Sequence, residues 1–518
     1  MTVSRRRFIG AAAAATVVAP GLVACAGAGA GIGAAVDSEF AHGVASGDPL
    51  QDRVIIWTRV STSAATAEVS WQLATDRHFE RLVASGTLIT EASRDYTVKV
   101  DVTGLSSDTR YFYRFSSHNA VSMTGRTRTL PAGKPESFAL GVVSCSNYPM
   151  GYFNVYRALA ERDDIDVVLH LGDYIYEYAN KTYGDGTALG RIPVPDHECI
   201  ELQDYRQRYG CYRGDEDLIA VHARHPFILV WDDHEFANNA WIKGAENHSE
   251  EEGSWAQRRE AATQAYFEWM PIREAVSDRQ NRLYRSFQVG DLFDLIMLDT
   301  RIIGRDQQLE KDQDWSDQQR SLLGVQQEHW LQGELSASFE NKTLWRVLGQ
   351  QVVMAQVMGA DGRPLSGDFW DGYPASRQRL LAQFEQQANS NNVILTGDVH
   401  SSWGSDICQS PFSTTGEQAY NSATGEGALA VEFVAPAVSS PALPSQEKAD
   451  ESAGQLMQAH PHIKYVELFR RGYMVVQIDR TAVSNSWYHI DTISERSTAQ
   501  QRAKKLQLQL NKPGLIEV

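Results

Sequence analysis

The sequence predicts a mixed α+β and α/β multidomain protein, in which a small all-β unit precedes a larger layered unit of strands and helices. Two observations carry that expectation. From about Phe40 to Leu130, apolar residues recur at every second position in short runs separated by turn residues, as at Val98, Val100 and Val102. Beyond Glu136 the runs become continuously apolar, alternate with helix-period stretches, and mostly stop at an aspartate. A chain of 518 residues has room for both units and a large core.

In the all-β unit, Val54-Ile55-Ile56-Trp57 is one apolar run, and Val69, Trp71 and Leu73 alternate along another. Leu105 followed by Thr109-Arg110-Tyr111-Phe112-Tyr113 resembles the tyrosine corner of fibronectin- and immunoglobulin-like modules. This unit is expected over residues 38–131, with Pro131-Ala132-Gly133-Lys134-Pro135 as a linker. The layered unit is expected over 136–494. There Phe138–Val143, Val167–Leu169, Phe227–Trp231, Leu295–Leu298 and Val393–Leu395 read as buried strands, and Gly324–Leu335 and Ala375–Gln387 as helices. Strands are expected from Tyr465 to Ile490, and the tail from Glu495 to Val518 reads as a helix broken near Pro513. Polar stretches at Lys243–Ser254, Asp306–Arg320, Gln409–Gly427 and Ser440–Gly454 read as surface loops without chemistry.

Residues 1–35 read as an address rather than as fold. Ser4-Arg5-Arg6-Arg7-Phe8-Ile9 resembles a twin-arginine export signal, and the Ala-rich stretch from Ala11 to Ala24 is too short for a comfortable membrane span. Leu22-Val23-Ala24-Cys25 resembles a lipoprotein cleavage box that would lipidate Cys25, the alternative being ordinary cleavage in the run that continues to Ala35. The expected location is therefore the periplasm or cell surface, reached through the twin-arginine machinery, with a lipid anchor if Cys25 is modified. In an oxidising compartment Cys199 and Cys211, which share a polar region, could pair. A formal charge of −17 argues against a nucleic-acid scaffold, whose footprint would be basic. It leaves anionic substrates open, because bound cations reverse the local field.

Four strand ends carry the chemistry. In His170-Leu171-Gly172-Asp173-Tyr174-Ile175-Tyr176, glycine lets the chain turn, Asp173 can bridge two cations, and Tyr176 can return to the same side as a phenolate. Trp231-Asp232-Asp233-His234-Glu235 places two carboxylates and an imidazole directly after an apolar strand, with Asn238 close behind. In Gly397-Asp398-Val399-His400, the alternate residues Asp398 and His400 are expected on one side. Val143-Ser144-Cys145-Ser146 ends a fourth strand with a thiol. Oxygen and nitrogen donors gathered from separate strands suit a two-metal site for phosphoester chemistry.

The set Ser-Cys, Gly-Asp-x-x-Tyr, Trp-Asp-Asp-His-Glu and Gly-Asp-Val-His resembles the PhoD-like alkaline phosphatases, a branch of the calcineurin-like metallophosphoesterases. Gly43-Val44-Ala45-Ser46-Gly47-Asp48-Pro49 and Leu298-Asp299-Thr300-Arg301 also match, so the likeness spans about 38 to 490. The resemblance implies a layered β-sandwich flanked by helices. It also implies a centre of Fe3+ held by Cys145, Asp173, Tyr176 and His400, and Ca2+ held by the bridging Asp173 with Asp233 and Asp398. Hard oxygen donors suit calcium. His234 matches the histidine that meets the phosphate or protonates the leaving oxygen, and Asp232 and Asn238 are additional candidates for metal contact. Asp233 stands where the wider superfamily has asparagine, and Ser-Cys replaces its first Asp-x-His motif.

The function expected is hydrolysis of small organic phosphoesters, monoester or diester. The alternative is a phospholipase D-like phosphodiesterase acting on lipid headgroups, which would want an apolar approach to the cleft. A non-enzymatic surface module would have lost ligand residues, and none is lost.

Overall fold

The computed structural model describes residues 38–518 except 275–281, 311–312, 387–390 and 417. The export segment and Cys25 lie outside the described residues. Two mixed sheets dominate. One has ten strands in the order Ile516–Glu517, Gln500–Gln509, Ala482–Ile490, Gly472–Asp479, Ser137–Val143, Val167–His170, Pro226–Leu229, Val44–Gly47, Arg53–Arg59 and Thr97–Thr103. Its centre, from Ser137–Val143 to Val44–Gly47, is parallel. The second has seven strands, with a parallel centre of Phe293–Met297, Trp345–Gln350, Asn392–Thr396 and Ala430–Val434.

The sheets share one core, in which Val142 and Val168 from the first are gathered with Leu295, Met297, Val347 and Leu395 from the second. Alternate residues of the second sheet, Ile296, Leu348 and Ile394, turn the other way and pack with Leu331 and Leu335 of the helix Gly324–Glu340 and Leu381 of the helix Pro374–Gln386. The pleat sends successive side chains to opposite faces, so strands covered on both faces are apolar throughout. Helices Asn154–Ala160, Leu202–Arg213 and Glu216–Arg224 contribute Leu159, Tyr205, Tyr209 and Leu218 to the core of the first sheet. The result is the layered arrangement of sheets flanked by helices.

The amino-terminal module shares this architecture instead of hanging from it. Val44–Gly47 pairs in parallel with Pro226–Leu229, so three strands of the module are the far end of the ten-stranded sheet. Val44, Val54 and Ile56 face the five-stranded sheet of the module, whereas Ala45 and Trp57 enter the main core. The Tyr111 hydroxyl accepts from Ser106 N–H at 2.9 Å, forming the tyrosine corner. The stretch expected as a linker is pinned: Gly290 N–H donates to Pro131 O at 3.0 Å, and Asp291 N–H to Gly133 O at 2.8 Å.

Two expectations are corrected. Cys199 and Cys211 are free thiols, the first fully buried. The tail is not a helix; Gln500–Gln509 adds to the first sheet beside Ala482–Ile490. Its Gln- and Lys-rich composition favours helix, but Leu506 and Leu508 alternate into the core and pairing overrides propensity. Leu508→Ala should therefore lower the unfolding free energy by about 2–5 kcal/mol, read from the shift in the urea midpoint. An unchanged midpoint would mean that the strand is only loosely docked.

Candidate metal centre

The parallel strands of both sheets end at one rim. Ser144 bridges Ala437 across the sheets. A Cβ on Gly172 would lie 2.4 Å from the Asp232 Cβ, and one on Gly397 would lie 3.1 Å from Leu171 O. Glycine at those two positions is what lets neighbouring strand ends touch. The donors themselves sit in sharp turns, with φ of +63° at Cys145, +56° at Asp173, +67° at Asp398 and +56° at His400. A side chain in this region costs about 1–2 kcal/mol per residue, a cost tolerated where the surroundings fix the conformation. Asp398 and His400 thus converge through a left-handed turn after Asn392–Thr396, and not by strand alternation.

Donor atoms of Cys145, Asp173 and His400 all lie within 4.8 Å of one another and are buried. The Tyr176 hydroxyl donates to Asp173 Oδ2 at 2.7 Å and lies 3.1 Å from His400 Nε2. His400 Nδ1 lies 2.9 Å from Pro441 O, a bond that leaves Nε2 for a cation. Burial, reinforced by Asp173 and Cys145, pushes the Tyr176 phenol well above its ordinary pKa, so it ionises at working pH only beside a cation. A second group, Asp232, Asp233 and Asp398, presents oxygens alone within the same distance. The donor chemistry fits a pair of metal ions, one taking S, N and phenolic O, the other carboxylates.

His234 lies within 4.8 Å of the Asp173 and Asp233 oxygens, and its ring sits 4.2 Å from that of Tyr176. Its Nδ1 is 2.7 Å from Glu177 Oε2. Burial alone would lower its pKa, but Glu177, Asp233 and Asp173 outweigh burial and raise it to about 10. These carboxylates favour the protonated ring, and the bond to Glu177 sets its orientation. The Asn238 amide donates to Glu246 Oε2 at 3.0 Å, while the neighbouring Asn239 N–H reaches Asp233 Oδ2 at 2.6 Å.

Several functional residues escaped the sequence reading. Glu235 accepts from the N–H groups of Asp173 at 3.1 Å, Tyr174 at 2.5 Å and Asp232 at 2.7 Å, and so clamps two donor turns together. Ser440, from a stretch read as solvated loop, donates to Cys145 O at 2.8 Å and to the Tyr176 oxygen at 2.7 Å. Asp299, matched only as part of the family motif, accepts from the Trp231 indole at 2.8 Å and from Arg301 N–H at 2.8 Å. The side chain that reaches the rim from this strand is Arg301.

A cavity of about 840 Å³ opens beside Asp398 and His400. Its lining includes Asn239, Glu246 and Gln308, so the loops around 243–254 and 306–320 do contribute to the site. It also includes apolar side chains, Leu309, Leu365, Phe369, Trp403, Leu443 and Leu456.

Residues 140–487 match the PhoD-like phosphatase family, and residues 25–131 match its N-terminal domain. The chain belongs to the PhoD-like phosphatases. It is 36% identical over 458 residues to alkaline phosphatase D of Bacillus subtilis (strain 168), covering 84% of this chain and 75% of that protein. A solved structure of PhoD superposes with a TM-score of 0.84 at 33% identity, covering 93% of this chain and 92% of the other. The chain is thus a phosphoesterase of the alkaline phosphatase class, and metal dependence agrees with the donors at its rim. Among the described residues no helix is long and apolar enough to cross a membrane.

The raised pKa of His234 gives a signed expectation. If the imidazolium is the acid, activity falls as pH rises through its pKa. Glu177→Gln removes the largest raising influence, so the alkaline limb of the kcat profile should move to lower pH. A limb that stays in place would separate the limb from His234.

Proposed function

We propose that the chain is an exported phosphomonoesterase or phosphodiesterase working at a ferric iron and calcium centre. The observation that carries this reading is the division of donors into two groups: Cys145, Asp173, Tyr176 and His400 in one, Asp232, Asp233 and Asp398 in the other, with Asp233 also close to Asp173. Thiolate and phenolate donate strongly to a trivalent ion, and the all-oxygen side suits calcium. When bound, the ions would polarise the phosphoryl oxygens and lower the pKa of water. His234 holds a proton near the ester oxygen that leaves, Glu177 fixes its ring, and Glu235 keeps the two donor turns in register.

The apolar side chains in the lining of the cavity favour a second reading, a phosphodiesterase acting on lipid headgroups. In that case Trp403→Ala should slow a long-chain phospholipid more than a small aryl phosphate, and equal slowing would leave the lipid reading without support. Export rests on Arg5 and Arg6; changing both to Lys should hold precursor in the cytoplasm, and undiminished export would require another route. Cys25→Ala should release the protein from membranes if that residue carries a lipid.

One set of variants tests the centre. The wild-type protein should contain iron and calcium and show a visible charge-transfer band that Tyr176→Phe or Cys145→Ala abolishes. A colourless, fully active zinc protein would overturn the assignment. Asp173→Ala should lose metal and activity together. His234→Ala should keep its metal and lose about 10²–10⁴ in turnover, less for substrates with good leaving groups. Equal metal loss in both would make His234 a ligand.

A further inference from the structure

Arg301 is fully buried among the rim carboxylates. Its Nε donates to Asp232 Oδ1, its Nη2 to Asp398 Oδ1 at 2.8 Å, and its Nη1 to Asp368 Oδ1 at 2.8 Å, with Asp233 Oδ1 at 3.6 Å. Asp368, in turn, receives Arg305 Nη2 at 2.7 Å and Gln308 Nε2 at 2.9 Å. The backbone of Arg301 is held by Asp299, itself gripped by the Trp231 indole and by Gln327. The guanidinium therefore arrives on a turn of the seven-stranded sheet and fastens Asp232, which follows a strand of the ten-stranded sheet, to Asp398.

We propose that Arg301 is a positioning residue for the divalent centre: it holds Asp232 as its own counter-ion, outside the ligand set, and through Oδ1 fixes the orientation in which Asp398 meets the cation. This deepens the two-centre reading given above and rests on it. A guanidinium stays charged at every working pH and offers a rigid planar fork, so it holds two carboxylates in place before any ion arrives. Asp232 oxygens also lie within 4.8 Å of those of Asp233 and Asp398, so proximity alone does not assign Asp232, and substitution does.

The test is elemental analysis and calcium competition with a chelator on the intact protein. Asp232→Asn should keep the wild-type iron and calcium equivalents, whereas Asp233→Asn should lose a calcium equivalent. Arg301→Lys, which keeps the charge and loses the fork, should weaken calcium about 10–100-fold with iron unchanged, as expected when a group that orients a ligand is lost. Loss of a calcium equivalent in Asp232→Asn, or undiminished affinity in Arg301→Lys, would overturn the proposal. Should Arg301→Lys fail to fold, the pair of aspartate variants decides. A wild-type protein without calcium would instead sink the two-centre reading itself.

Discussion

The structure depends on a concentration of buried negative charge that cannot persist without cations. Asp173, Asp232, Asp233 and Asp398 lie at one rim within a few ångströms of one another, all shielded from water. Two carboxylates at such separations repel by roughly 3 kcal/mol at an effective dielectric near 20. A protein built only for stability would neutralise or expose such groups. The architecture instead spends much of its fixed geometry on keeping them close. The parallel strands of both sheets point their carboxyl ends at one edge, glycines at 172 and 397 let those ends touch, and four donors are held in left-handed turns. Each feature is unfavourable alone and becomes intelligible once cations occupy the rim.

The protein's own positive groups divide that charge into regions. Arg301 balances Asp232, Asp368 and Asp398, and Arg305 adds a second cation behind Asp368. The carboxylates of Glu177, Asp233 and Asp173 also favour the protonated form of His234.

The sequence showed the rim well because its donors are local events: a carboxylate or thiol just after an apolar run is visible without knowing how strands pair. Cys145, Asp173, Tyr176, Asp398 and His400 are drawn together for that reason, although from three separate strands. What was hidden depended on tertiary direction. Asp299 also follows an apolar run, yet its carboxylate turns back to Trp231, and Arg301 two residues later takes the place at the rim. Ser440 sits in a polar stretch indistinguishable from solvated loop until the chain folds over Tyr176. A rule for finding Arg301 was available: an Arg directly after a strand-end aspartate, in a chain whose other strand ends are acidic, is the natural counter-ion.

The amino-terminal module shows the same limit at the scale of domains. Its alternation and tyrosine corner were legible, and they suggested a self-contained sandwich joined by a linker. Sheet continuity cannot be read from one strand's sequence, because a strand's two faces look alike whether the next strand belongs to its own module or to another. Here Val44–Gly47 has Val44 in the core of the module and Ala45 in the main core. The same strand pairs with Pro226–Leu229, the strand that delivers Asp232, Asp233 and His234. Asp48 completes the join, accepting from Arg285 Nη2 at 2.6 Å and from Arg273 N–H at 2.8 Å. The module therefore serves as the outer support of the strand that carries the second motif. A strand flanked on both edges holds its carboxyl end, and the carboxylates beyond it, in a fixed geometry.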